Sequence, residues 1–126
     1  MRIRLLVTVS LLLALGLSSA YAQYKEIYRL DMLIKEMPEP EVLNVLATHL
    51  GVPADTLKKE KADNRLSFGE LYFAHRFAKA ANSDLKNTLA ARTQKTWGEL
   101  AKEKGIDMDQ ISQDEKTLEK ALKKTK

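Results

Sequence analysis

The chain has no cysteine in its 126 residues, so disulfides, thiolate metal sites and thiol nucleophiles are all excluded. Five glycines and three prolines are too few for a collagen-like or low-complexity chain. Neither a Gly-rich phosphate loop nor a Gly-x-Ser-x-Gly elbow occurs. After residue 22 there is no sustained period-two alternation and no Asn-Gly hairpin signal, which argues against strands. Charge of one sign is lacking too. With 21 basic and 17 acidic side chains interspersed, nothing marks a dedicated nucleic-acid surface.

What is present begins with two positive charges, Arg2 and Arg4. An apolar run from Leu5 to Leu17 follows, then the small residues Ser18, Ser19, Ala20 and Ala22. That order is expected of a cleavable secretory signal over residues 1–22, with an A-x-A-like site at Ala20 and Ala22 and a mature chain starting at Gln23. Cleavage after Ala20 is the alternative cut, and an uncleaved anchor the alternative fate. The run is about 13 residues, short of the roughly 20 that a bilayer-spanning helix requires. The protein is therefore expected to be exported, periplasmic or secreted, with no stable membrane span after cleavage. Without Arg2 and Arg4 the mature domain carries 19 basic and 17 acidic side chains, close to neutral.

The rest of the chain reads as helices. Ile27, Leu30, Leu33, Ile34 and Met37 form one stripe at steps of three and four, an N-terminal amphipathic helix over 23–37. Pro38-Glu39-Pro40 stops it. A second helix carries Val42, Leu43, Val45, Leu46 and Leu50 and ends at Gly51. A third, short one opens at Pro53, and the charged stretch 58–65 reads as its end and a connection. Ser67 and Glu70 form a capping box for the most apolar helix, with Leu71, Tyr72, Phe73, Ala74, Phe77 and Ala78. Ser83 is the expected cap of a fifth helix and Thr96 of a sixth. Met108 and Ile111 suggest a short turn before Ser112 and Glu115 cap a lysine-rich C-terminal helix over 112–126. The expected fold is all-α: a compact bundle of about five to seven short helices, with a helical core over 38–111.

Two stretches align without gaps: Leu46-Ala47-Thr48-His49-Leu50-Gly51-Val52 and Leu100-Ala101-Lys102-Glu103-Lys104-Gly105-Ile106, each reaching a further apolar residue, Leu57 or Ile111, six after the glycine. A helix ending at a left-handed glycine, followed by a sharp turn into a second helix, wants this pattern. It resembles the helix-turn-helix of DNA-binding proteins. The second helix of the first corner offers Asp55, Lys58 and Lys59; that of the last offers Asp107, Asp109, Gln110 and Asp114, a set that repels phosphate. DNA binding is thus the alternative only if the N-terminus is not a signal peptide. The segments Gly69-Glu70-Leu71-Tyr72-Phe73-Ala74 and Trp97-Gly98-Glu99-Leu100-Ala101-Lys102 also resemble a group of short exported bacterial all-helical proteins of unknown function, over roughly Val42 to Ile106. That resemblance implies a helical exported domain and brings no activity with it.

Chemistry-bearing residues are few. His49 and His75 lie on different helices, and neither has a histidine or carboxylate partner at metal-pair spacing on its own helix. Ser67, Ser83 and Ser112 are accounted for as caps. No catalytic, cofactor-binding or metal-binding residue is nominated. The speculative contact residues are Trp97, Tyr72, His49 and His75, with Trp97 expected to pack as core against Tyr72 or Phe73. The function expected is a non-catalytic exported domain acting through protein–protein or envelope contacts. A protein partner or a homodimer would use the N-terminal helix, and Lys120, Lys123, Lys124 and Lys126 could make a weak contact with an anionic envelope surface. A periplasmic small-ligand or metal-binding protein is the runner-up. Intact-mass measurement of the exported protein is expected to give a chain that begins at Gln23; a mass retaining Met1 removes the signal-peptide reading.

Overall fold

The structure, a computed structural model, describes residues 25–125. The expected signal peptide and its cleavage residues Ala20, Ala22 and Gln23 lie outside the described residues. Those described form seven helices and no strand: α1 (25–34), α2 (Glu39–Leu50), α3 (Ala54–Asn64), α4 (Phe68–Ala80), α5 (Leu85–Arg92), α6 (Trp97–Lys104) and α7 (Met108–Thr125). The all-α bundle expected from the periodicity is what forms. No helix among the described residues is long and apolar enough to cross a membrane.

The α1 stripe turns inward as spaced, burying Ile27, Leu30 and Ile34, with Met37 just beyond the helix. Proline then opens α2 at its second position, and Gly51 closes it in the left-handed region at φ 68°. Gly105 closes α6 in the same way at φ 67°, with the Ile106 N–H reaching back to the Ala101 carbonyl at 2.9 Å. Both repeated corners are therefore ordinary glycine-terminated turns. Asn82 also sits left-handed, at φ 55°, a region asparagine tolerates. The capping box of α4 is present in full. Ser67 Oγ accepts from the Glu70 N–H, and Glu70 Oε1 accepts from the Ser67 N–H, each at 3.1 Å.

Three local expectations are corrected. Residues 58–64 continue α3 instead of forming a connection, because Lys, Glu and Ala are good helix formers. The stop falls on Arg65, left-handed at φ 52° without a glycine to announce it. The cap of α5 is Asp84, whose Oδ1 accepts from the Asn87 N–H at 2.7 Å; Ser83 lies outside the helix. The third correction is larger. No break occurs at Ser112, and α7 runs unbroken from Met108 to Thr125 across the expected 111/112 boundary. Ser112 does not cap; its hydroxyl donates to Glu26 Oε1 on α1 at 2.6 Å. Asp107 supplies a cap instead, accepting from the Asp109 N–H at 3.0 Å.

Neither terminal helix is an appendage of a 38–111 core. Leu118 and Leu122 are fully buried, in one cluster with Leu30 and Ile34 of α1, Val42 and Leu46 of α2, Leu57 of α3 and Leu71 of α4. A second cluster joins Ile27 to Phe73, Phe77, Trp97, Leu100 and Ile111. The central helix α4 feeds both. Its Gly69 lies under α1, where an added Cβ would stand 2.7 Å from the Ile27 carbonyl oxygen and 2.8 Å from Asp31 Oδ1. Two stability changes follow, both readable by urea denaturation. Gly69→Ala is expected to cost about 1–3 kcal/mol by overpacking, despite alanine's better helix propensity. Leu118→Ala is expected to cost about 2–5 kcal/mol, whereas a peripheral C-terminal helix would make it nearly silent.

Candidate functional site

The four contact residues nominated from sequence are placed apart and mostly inward. Trp97 begins α6 and is core, 6 % exposed. Its ring centroid lies 5.0 Å from that of Phe73 and 4.9 Å from that of Phe77, both tilted. The Arg92 guanidinium lies over the same ring, 5.7 Å from its centroid. Tyr72 is 2 % exposed, and burial pushes its hydroxyl up to about 12, so it stays a neutral phenol inside the bundle. It does not touch a partner from there.

The histidines do not meet. His49 is half-buried in the last turn of α2, where its type suits the carbonyl end of the helix dipole. His75, on α4, places Nε2 2.9 Å from Glu60 Oε1 on α3. That pair lines an open cleft of about 510 Å³ shared with Leu50, Val52, Lys79 and Asp84. His49 takes no part in it. Among the described residues no three His, Asp or Glu side chains are grouped as a metal site. The second helix of the last corner carries no basic reading face, whereas that of the first, α3, exposes Lys58 and Lys59 beside Asp55. Asp114 on α7 is ion-paired with Arg76 and accepts from Gln110, an arrangement that ties α4 to α7.

The most distinctive surface is the outer side of α1, which lies off the stripe and outside the contact residues nominated from sequence. Tyr28 is 66 % and Met32 49 % exposed, the two large apolar side chains left in solvent among the described residues. They stand four apart on the helix and so share one face. Their signal was legible, since both are apolar residues off the buried stripe. A cleft of about 420 Å³ opens on one side, walled by Ile27, Leu66, Leu89 and Trp97 and sharing Tyr28 and Asp31. A second, of about 390 Å³, opens on the other, walled by Met32, Ile34, Met37 and Phe68 and also sharing Tyr28 and Asp31. Lys61 reaches over the Phe68 ring at 4.7 Å at its rim.

This face is rigidly placed. The Gly69 N–H donates to Asp31 Oδ1 at 2.7 Å, seating the α1 carboxylate on the positive N-terminal end of α4. The absence of a Cβ at Gly69 is what allows the approach. The arrangement offers an apolar ridge between two shallow clefts, with no nucleophile–base pair among the residues that line them.

No family model, no curated protein and no solved structure matches the chain. The functional reading therefore stands on this geometry and on the sequence. With the histidines apart, added zinc or copper is expected to leave the melting temperature of the protein unchanged. A metal-dependent rise that His75→Gln abolishes would contradict this.

Proposed function

We propose that the domain is an exported, non-catalytic binding module that takes a partner protein on the outer face of α1. The observation that carries the reading is the pairing of Tyr28 and Met32, exposed on one helical face and flanked by apolar clefts on both sides. The core does not use these side chains, and solvent gives no reason to keep them together. Tyrosine and methionine suit such a role: one presents a large amphipathic ring at low entropic cost, the other adapts to an irregular partner. Export is supported by the charged, apolar and small-residue order of residues 1–22. The all-helical build agrees with what the likeness to short exported bacterial proteins implies.

A second reading, small-ligand binding, is favoured by the cleft beside Trp97, whose volume falls in the range of ligand pockets. Its polar groups argue for the first reading, because Asp31 and Glu70 are already spent on backbone N–H groups of the α4 N-terminus. The double variant Tyr28→Ser with Met32→Ser separates the two. Its stability is expected to stay within about 0.5 kcal/mol of the parent, as for surface changes, while crosslinking in the host envelope loses the partner recovered with the parent protein. Retention of that crosslink overturns the assignment of this face. A metabolite that raises the melting temperature equally in parent and variant favours the ligand reading. Light scattering identifies a second copy as the partner if the parent is dimeric and the variant monomeric.

A further inference from the structure

We propose that Glu115 is a latch: its protonated carboxyl lets α1 lie closed against α7, and its ionisation releases the N-terminal end of α1. This inference is independent of what docks on the outer face.

Glu115 sits on the buried stripe of α7, between Ile111 and Leu118, at a position where an apolar residue belongs. It is 4 % exposed, both carboxyl oxygens are buried, and the one side chain among the described residues close enough to share a hydrogen bond with them is another acid, Glu26. An ionised carboxylate so placed carries the full cost of desolvation. Its surroundings add repulsion. Glu26 approaches from α1 and Glu119 from the next turn of α7, and both favour the protonated form; Arg29 of α1 alone opposes them. From α4 the neighbour is Tyr72, itself neutral, which the ion pair of Arg76 with Asp114 also approaches. The other helix packed on α7, α2, buries only Val42, Leu43 and Leu46. Burial first, and the neighbouring acids second, push the Glu115 carboxyl up to about 8.

The geometry makes that titration mechanical. Glu26 is held by the Ser112 hydroxyl at 2.6 Å, one turn of α7 before Glu115, so two acidic side chains meet across the α1–α7 seam. While Glu115 holds its proton, it adds no charge to that seam. Loss of the proton leaves a buried carboxylate beside Glu26 and Glu119, with Arg29 alone to offset them. Burial and like charge both disfavour that state. Moving the 25–29 turn of α1 outward restores water to Glu115, and the Asp31–Gly69 contact one turn further along acts as the hinge.

The sign of the pH dependence follows. The native state retains a proton that an unfolded chain gives up at the ordinary carboxylate value of 4.5. Stability therefore falls as pH rises from about 4.5 to about 8 and levels off above.

The test titrates the mature protein from pH 5 to pH 10, reading the side-chain carboxyl ¹³C shift of Glu115 and the emission of Trp97. Trp97 is the only tryptophan and shares a cluster with Ile27, the neighbour of Glu26. Both signals are expected to move together with a midpoint near 8. Glu115→Gln is expected to remove the emission step and flatten the pH dependence of the melting temperature, and Glu26→Gln to lower the midpoint. A Glu115 midpoint in the ordinary carboxylate range overturns the proposal. So does an emission step retained in Glu115→Gln, or a Glu115 titration near 8 with no movement at Trp97. Should Glu115→Gln fail to fold, the two signals of the unmodified protein decide alone.

Discussion

The rest of the molecule is arranged around the contact in which α1 lies across the first turn of α4, close enough that nothing larger than glycine fits at position 69. One hydrogen bond, from the Gly69 N–H to Asp31, fixes its position along the helix, and the buried stripe fixes its rotation. Once both are set, Ile27 falls into the cluster around Trp97 while Leu30 and Ile34 fall into the cluster with α7. The two cores are thus bridged by α1, by α4 beneath it, and by α7, whose Ile111 lies in one and Leu118 and Leu122 in the other. The same rotation leaves Tyr28 and Met32 outside, so the exposed face is a by-product of how the core is closed.

The polar contacts that hold the bundle are sorted by depth. At the surface they are caps and ion pairs such as Lys95 with Glu103, each worth little alone. Half-buried pairs, Glu60 with His75 and Asp114 with Arg76, tie α4 to the helices on either side of it. At the deepest level stands one carboxyl with no cation or neutral donor of its own to bond among the described residues, Glu115, faced by another acid, Glu26. An apolar side chain there would pack more simply. A titratable group in a core seam costs stability, and it makes the seam responsive to the solution outside.

Sequence periodicity located most of this fold. The α1 stripe, the two left-handed glycines and the Ser67–Glu70 box all follow from local rules, and local rules decided them. The largest failure has a tertiary cause. Ser112-x-x-Glu115 has the form of a capping box, but tertiary contact claimed both side chains, Ser112 for Glu26 and Glu115 for the core. Arg65 ends α3 in a conformation that its residue type does not advertise. The site residues divide the same way: Tyr28 and Met32 were visible as apolar residues off the stripe, whereas the interior placement of Tyr72 depends on helices far away in the chain. Nothing in the order of residues says that Glu26 and Glu115, 89 positions apart in the numbering, share a seam.

The contrast between α3 and its neighbours has a consequence for how the domain breathes. Eleven residues long, α3 buries one side chain, Leu57, where α4 of similar length buries seven residues. Its carbonyl end is closed by an arginine held left-handed, a conformation that contributes strain to the closed form. Backbone hydrogen bonds guarded by so little apolar contact open at low free energy, without the rest of the bundle unfolding. The molecule thus has a stiff end, where α1, α4 and α7 interlock, and a yielding one. Amide protons of α3 are therefore expected to exchange with solvent well before those of α4, and a protease is expected to enter there.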